Sequence, residues 1–411
     1  MSHMPDYTEP STRNRPASPP RLLAHLLEDT GVRFNGERVF DIQIRDPATY
    51  RRILTRGSLG FGEAYMDGMW ECPALDEMLT RLLRAGINDR VRSLPRLRLL
   101  LGMAVGTAAH KLINQQSLRR AFRVAEQHYD IGNDLFEAML DPTLSYSCGY
   151  WARARDLNQA QTDKLDMICR KLQLTPGERL LDIGCGWGGL ARHAAQHYGV
   201  EVFGVTVSRE QLALARERCA GLPVTLELED YRNLRGRFDK IVSVGMFEHV
   251  GPKNYRLFFD IVNRLLDTDG LALLHSIGDS LTSATTDPWI ERYIFPNGKL
   301  PSAAQISRAV EPALVIRDWH EFGADYDRTL MAWWENFNRA WPELRGHYSQ
   351  RFYRMWKYYL HACAASFRTG QSQLWQIVLS RPGERSGYRS IRPWNDAAND
   401  EPREPAPFLE D

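Results

Sequence analysis

The chain has 411 residues, with 52 Lys and Arg against 51 Asp and Glu, 43% hydrophobic and 10% aromatic content. Plentiful apolar side chains and a near-zero net charge exclude a mainly disordered protein, and the length predicts two or three domains with ample core. The longest uncharged apolar run, residues 99–109, is about half the ~20 residues of a bilayer-spanning helix, which excludes a simple membrane-spanning chain.

Six cysteines (72, 148, 169, 185, 219 and 363) show no CxxC spacing, so zinc and disulfide frameworks are both disfavoured and no metal site is expected. Without a secretory leader, the expected location is a reducing cytosol. Residues 1–20 carry five prolines and few large apolar groups, which predicts a disordered leader. Residues 21–90 read as a small, largely helical module, with helical stretches at 22–27 and 75–83 and a strand at 39–44 from its alternation.

The net charge of +1 is uneven. Residues 1–125 carry 19 basic and 13 acidic side chains, and residues 126–411 carry 33 and 38. Residues 91–125 hold seven Arg or Lys and no acid, interleaved with leucines. Such a segment can lie as a helix against an anionic surface, and it can equally be a solvated linker. No reading motif accompanies the charge, so nucleic acid is not expected as a partner.

From 126 to 382 the pattern becomes regular. Strands are expected at 179–183, 200–205, 224–228, 238–244 and 271–277, with helices at 190–198, 208–219 and 253–266 between them. Strands alternating with helices predict parallel βαβ units and a doubly wound α/β sheet. From 383 onward seven acids face four bases, and an acidic flexible tail is expected.

The turn after the first strand, Asp182-Ile183-Gly184-Cys185-Gly186-Trp187-Gly188-Gly189, is built for close approach of backbone to ligand. Gly184, Gly186 and Gly189 fit the dinucleotide pattern GxGxxG. Asp182 to Gly188 also fits the acidic-x-G-x-G-x-G turn of Rossmann-like S-adenosylmethionine (SAM) methyltransferases. A nicotinamide dinucleotide requires an acid about 20 residues on to hold its ribose. Here the second strand runs into Thr206-Val207-Ser208, so Thr206, Ser208 and Gln211 are left as polar cofactor contacts. Asp230 and Tyr231, after the third strand, suit an amino-bearing purine, although a turn Asp beside a packed Tyr looks the same. Glu248 and His275 lie at the carboxyl ends of the fourth and fifth strands and are placed for proton chemistry. His249, adjacent to Glu248, is expected to face away. Upstream, Tyr146 and Ser147 belong to a turn able to close over a cofactor, where a tyrosine face attracts a sulfonium. Cys363 has nothing nearby in sequence to lower its pKa.

Seven segments together resemble cyclopropane-fatty-acyl-phospholipid synthases: SLGFGEAYMDGMWEC at 58–72, Tyr146-Ser147-Cys148, LDIGCGWGG at 181–189, GVTVSREQ at 204–211, VGMFEHVGPKNY at 244–255, LLHSIG at 273–278 and FGADYDRTLMAW at 322–333. Mycolic-acid cyclopropane synthases look like more distant relatives. The resemblance spans about 21–381 and implies a Rossmann-like class I SAM-dependent methyltransferase fold with a small N-terminal domain. It implies methylene transfer from SAM to a cis double bond of a phospholipid acyl chain. Cofactor contacts implied are Tyr146, Ser147, Gly184, Gly186, Thr206, Gln211, Asp230 and Tyr231. A bicarbonate ion is implied at Cys148, Glu248, His275, Ile277 and Tyr326, with Cys148 and Ile277 acting through backbone, and Cys363 matches a cysteine suspected of catalysis in the family. The implied partner is the phospholipid bilayer, with its anionic surface and unsaturated chains, reached peripherally from the cytoplasmic side; a homodimer is one admissible assembly. Two other readings are a SAM-dependent acyl-chain methyltransferase without ring closure and a non-catalytic lipid-binding relic of the fold.

The basic segment makes one expectation testable. Reversing two of Arg92, Arg96 and Arg98 to Glu weakens binding to anionic vesicles, most visibly at low salt. Unchanged vesicle binding would leave the segment as a linker.

Overall fold

The computed structural model describes residues 18–93, 132–283, 286–383 and 387–392. The predicted leader up to residue 17, most of the basic segment and the last residues of the tail lie outside the described residues. The chain divides into two units, 1–102 and 103–411.

In the first unit, α1 (Arg21–Leu26), α2 (Ala48–Met66), α3 (Leu75–Arg84) and α4 (Ile87–Ser93) accompany two-residue strands β1 (Gln43–Ile44) and β2 (Trp70–Glu71), paired antiparallel. The strand expected over 39–44 survives only as β1. Asp41, fully buried, accepts from the backbone N–H of Arg33 at 2.8 Å and of Arg38 at 3.0 Å. Asp41 N–H in turn donates to the Arg38 carbonyl at 2.9 Å. These local bonds fold 38–41 into a turn and leave Val39 62% exposed, because a short acidic side chain competes with strand pairing for backbone groups. Trp70, wholly buried, stacks on Phe61 at 4.3 Å and donates its indole N–H to the Phe61 carbonyl.

Among the described residues, the second unit begins with α5 (Asn133–Met139) and α6 (Leu157–Lys171), followed by β3 (Arg179–Ile183), α7 (Gly189–Tyr198), β4 (Glu201–Thr206), α8 (Arg209–Arg218), β5 (Val224–Leu228), β6 (Phe238–Val244), α9 (Tyr255–Leu265) and β7 (Leu266–Asp279). Then come α10 (Pro288–Tyr293), α11 (Ala303–Val310), β8 (Val315–Glu321), α12 (Ala324–Leu344), α13 (Gln350–Arg368) and β9 (Ser372–Ser380). Seven strands form one sheet in the order β5-β4-β3-β6-β7-β9-β8. Pairing is parallel from β5 through β7, and β9 runs antiparallel to both neighbours. This is the expected doubly wound α/β fold, with every predicted strand of the unit present.

Strand alternation divides the core. Leu181, Ile183 and Ile241 pack with Phe258, Phe259 and Val262 of α9 on one face. Leu180, Val202 and Val242 meet Leu165 and Ile168 of α6 and Leu190 and Ala194 of α7 on the other. Covering both faces is what a parallel sheet requires. β7 is longer than its expected 271–277, because it follows α9 directly and reaches back to pair Leu266 with Phe238. Part of the expected tail is docked. Arg392 Nη2 reaches the Asp318 carboxylate at 2.6 Å and Ser390 Oγ lies 3.1 Å from it, so burial of one acid on β8 holds 387–392 in place.

Gly278 marks a tight approach. A Cβ there would stand 2.0 Å from the Trp375 ring of β9. Gly278→Ala is therefore expected to cost about 1–3 kcal/mol through overpacking, read as a lowered urea midpoint; an unchanged midpoint would show that Trp375 can yield.

Candidate active site

β3 is the strand at which the sheet order reverses, with β4 on one side and β6 on the other, and its carboxyl end opens a crevice. There the chain turns through Gly184 (φ 87°) and Gly186 (φ 54°), left-handed conformations suited to glycine. The N–H groups of Gly184 and Cys185 both donate to the Val205 carbonyl, tying the turn to β4. Beyond the turn lies the N-terminus of α7, whose free N–H groups favour an anionic ligand group. A cavity of about 220 Å³ fills the crevice and is lined from this turn, from the end of β4, from 229–232 and from the segment 144–147.

All but one of the predicted cofactor residues line the cavity. Tyr146, Ser147, Asp182, Gly184, Gly186, Thr206, Ser208, Gln211, Asp230 and Tyr231 all line this cavity. Thr206 Oγ1 donates to Gln211 Oε1 at 3.2 Å, which fixes that amide and leaves its N–H₂ group as donor. Ser208 has a second duty as N-cap of α8, accepting from Gln211 N–H at 3.3 Å. Asp230 is more occupied than its sequence implied. Arg232 donates to its carboxylate from Nε at 2.8 Å and Nη2 at 2.6 Å, and its backbone N–H adds a third bond. Of about four acceptor positions on a carboxylate, one remains for a ligand.

Gly188 is the exception. It is not part of the cavity lining, and a Cβ there would stand 2.9 Å from Cys219 Sγ. Its glycine serves the packing of α7 on α8 and the left-handed N-cap of α7 (φ 80°), while Gly189 takes the cavity position. His249, expected to face away, also lines the cavity. Burial pulls its pKa down to about 4, so it meets a ligand as neutral imidazole. The cause is the short helical turn Phe247–His249 after β6, which rotates successive side chains by less than the half-turn of a strand.

The segment 141–151 folds over the glycine turn. Asp141 anchors it by accepting from the N–H groups of Thr143 at 2.8 Å and Ser145 at 3.0 Å. Gln161 of α6 donates to the Ser147 carbonyl at 2.8 Å. Lys164, also on α6 and 2% exposed, donates to Ser147 Oγ at 3.0 Å and lines the cavity. Burial lowers its pKa to about 8, against the pull of Asp141, Cys148 and Asp182. Asp182 is raised to about 7 by burial, partly offset by Lys164, and its Oδ2 has no hydrogen-bond partner. Sequence reasoning missed Lys164. The available signal was its register: Leu157, Gln161, Lys164, Ile168 and Lys171 share the stripe of α6 that is buried, so two lysines occupied core positions.

Beyond Tyr146, whose hydroxyl lies 2.9 Å from that of Tyr359, a second group of predicted residues gathers. Glu248 Oε1 accepts from Ile277 N–H at 2.7 Å, while its buried Oε2 has no partner. Burial raises its pKa to about 7, opposed by that backbone bond. Tyr326 is buried against Phe367, with ring centroids 4.5 Å apart. Its phenol is pushed up by burial and by the facing groups of Cys148, Tyr146, Glu248 and Cys363. His275 lies two residues before Ile277 on β7; its Nδ1 meets Gln376 and its buried Nε2 has no partner. Burial, with Lys164 and Lys171 adding repulsion, holds it well below its usual pKa. Cys148 Sγ lies 3.7 Å from Thr329 Oγ1, and burial pushes its thiol well up. Burial pushes Cys363 up to about 12, so it is a thiol at neutral pH and a poor nucleophile.

The donor set fits SAM. An unpartnered Asp182 Oδ2 accepts from an ammonium or hydroxyl, the glycine turn and Lys164 favour a carboxylate, and Asp230 with Tyr231 suits an aminopurine.

Residues 116–377 match the family described as Mycolic acid cyclopropane synthetase. The cyclopropane-fatty-acyl-phospholipid synthase of Escherichia coli (strain K12) is 53% identical over 372 residues, covering 90% of this chain and 96% of that one. A probable fatty acid methyltransferase of Pseudomonas putida is 40% identical over 280 residues, covering 65% and 71%. Among solved structures, the mycolic acid cyclopropane synthase CmaA1 complexed with SAH and CTAB superposes with a TM-score of 0.60 at 31% identity, covering 63% of this chain and 98% of that one.

The buried Glu248 carboxyl has a stability consequence. With its pKa raised from 4.5 to about 7, the folded state holds the proton more tightly than the unfolded chain. Its contribution is complete below pH 4.5 and is lost as pH rises through 7, by about 3 kcal/mol. Glu248→Gln is expected to gain stability relative to the parent between pH 5 and pH 8, measured by urea unfolding; parallel pH curves would contradict the assignment.

Proposed function

The chain belongs to the mycolic acid cyclopropane synthetase family, and we propose how its site performs the reaction of a cyclopropane-fatty-acyl-phospholipid synthase. The protein is a SAM-dependent methyltransferase, transferring a methylene to the cis double bond of unsaturated phospholipid acyl chains. When bound, SAM supplies the electrophilic methyl group that the double bond attacks. An alkene is a weak nucleophile, so alignment matters, and positioning is worth about 7–11 kcal/mol in favourable cases. Tyr146 lines the cavity, its hydroxyl 2.9 Å from that of Tyr359 and its ring 5.1 Å from those of Phe136 and Trp333. That aromatic wall excludes water, which would otherwise capture a cationic acyl chain as an alcohol, and its ring faces attract positive charge.

Closing the ring requires loss of a proton from the transferred carbon. The observation that carries the bicarbonate reading is the pair of buried, unpartnered atoms Glu248 Oε2 and His275 Nε2, the first on a carboxyl that accepts from Ile277 N–H and the second two positions before Ile277 on β7. Buried polar atoms without partners are uncommon and point to a missing ligand. With Oε1 committed to Ile277, a proton on Glu248 resides on Oε2, so carboxyl, imidazole N–H and the Tyr326 hydroxyl are donors suited to an oxyanion. Bicarbonate bound there would supply the base.

We also infer peripheral association with an anionic bilayer. The acid-free basic segment supports it, and among the described residues no helix is long and apolar enough to cross a membrane. The likeness to a fatty acid methyltransferase keeps methyl branching without ring closure as a second reading.

Expression in cells rich in unsaturated phospholipid, followed by mass spectrometry of the fatty acids, separates the two. The expected product gains the mass of one CH₂ and no longer reacts as an alkene; methyl-branched or methylene products would favour the second reading. Glu248→Met, which removes the donor toward the anion at similar side-chain length, is expected to lower turnover by roughly 10²–10³-fold with SAM affinity unchanged by calorimetry.

A further inference from the structure

His275 rests against a polar row that the reaction itself does not use. β7, β9 and β8 are neighbours, and their register places His275 opposite Gln376 and Gln376 opposite His320. Directly opposed residues share a face of the sheet, within side-chain reach. Over this row lies Lys171, the last residue of α6, with its side chain fully buried. Its Nζ is 2.8 Å from Gln376 Oε1, 2.9 Å from His320 Nδ1 and 4.0 Å from the Asp318 carboxylate. Asp318 is held in turn by Arg392 and Ser390.

Donor and acceptor bookkeeping settles the direction of every bond in the row. Burial lowers the Lys171 pKa to about 7; below that pH the ammonium offers N–H groups and no acceptor, so the amide of Gln376 turns its oxygen toward Lys171. An amide has one oxygen and one N–H₂, so its N–H₂ faces the other neighbour. Gln376 Nε2 indeed lies 3.2 Å from His275 Nδ1. A donor at Nδ1 requires a lone pair there, and the single hydrogen of the neutral ring is left on Nε2. His320, held uncharged by burial and by Lys171, presents its Nδ1 lone pair to the second Lys171 N–H.

We propose that Lys171 and Gln376 are positioning residues that lock His275 in its neutral Nε2–H tautomer, making it a fixed hydrogen-bond donor toward an oxyanion beside Glu248 and removing it as a base. The tautomer lock follows from the row alone; its service to an oxyanion rests on the bicarbonate reading above. A buried lysine whose N–H groups are merely satisfied would leave the tautomer indifferent to Gln376. The lock instead makes the reacting end of His275 depend on an amide that touches no ligand. It also assigns the proton-accepting role away from the histidine, although histidine is the usual general base.

The test is the protonation pattern of His275 in the full-length protein with ¹⁵N-labelled histidine, its signals assigned by comparison with His275→Gln. The parent protein is expected to show an unprotonated Nδ1 and a protonated Nε2. Gln376→Glu presents an acceptor to Nδ1 and is expected to move the hydrogen there, or to give a doubly protonated ring. Turnover should fall roughly ten- to hundredfold with the KM for SAM unchanged. If Gln376→Glu does not fold, Gln376→Met serves in its place, where loss of the donor lets both tautomers appear. An Nδ1–H ring in the parent, or a pattern unmoved by either substitution, overturns the proposal. Bicarbonate titrated into the parent protein reads the other premise separately: an Nε2–H signal that does not respond would retire the anion site, while the Nε2–H pattern itself upholds the lock.

Discussion

β3 has β4 on one side and β6 on the other, so the connections leaving these strands diverge and a gap opens at their carboxyl ends. The rest of the catalytic unit is arranged around that gap. The glycine turn enters it with left-handed backbone, the Val205 carbonyl ties the turn to β4, and α7 points its N-terminus into it. The segment 141–151 closes it from above, held by Asp141 and by Gln161 and Lys164 of α6. Strand order thus decides which residues, distant in sequence, share one cavity.

Burial of charge is the second organising feature. Lys164, Asp182, Glu248, His275 and Lys171 are all shielded from water, and each shifts toward its neutral form for that reason. An isolated buried charge is costly, whereas a carboxyl and a lysine poised near neutrality can exchange protons at little cost. Two groups of side chains divide the work. Asp182 and Lys164 face the cofactor cavity, while Glu248 and His275 leave one unpartnered atom each beside β7. Tyr146 stands between them, in the cavity wall and facing Tyr326.

Much of the site was legible because its signals are local. Glycines at 184 and 186 are demanded by the turn they form, and the strand pattern alone placed Glu248 and His275 at strand ends. Failures came where a neighbour far along the chain intervened, or where a local bond overrode a pattern. The alternation at 39–44 gave way to the grip of Asp41 on backbone N–H groups. Gly188 answers to Cys219 on another helix instead of to the ligand. His249 was turned into the cavity by a short helical turn that alternation does not foresee. Arg392, within a stretch of tail-like composition, is recruited by Asp318, 74 residues away.

By itself the sequence determined the alternation of strands and helices, the glycine turn and the acid and histidine at strand ends, since each is written in residues adjacent or a few positions apart. Protonation and bond direction were decided only by the tertiary structure. Desolvation depends on everything packed around a group, and the orientation of Gln376 depends on Lys171, 205 residues away, and His275, 101 residues away. Periodicity carries no record of such partners; the sheet that brings them together does.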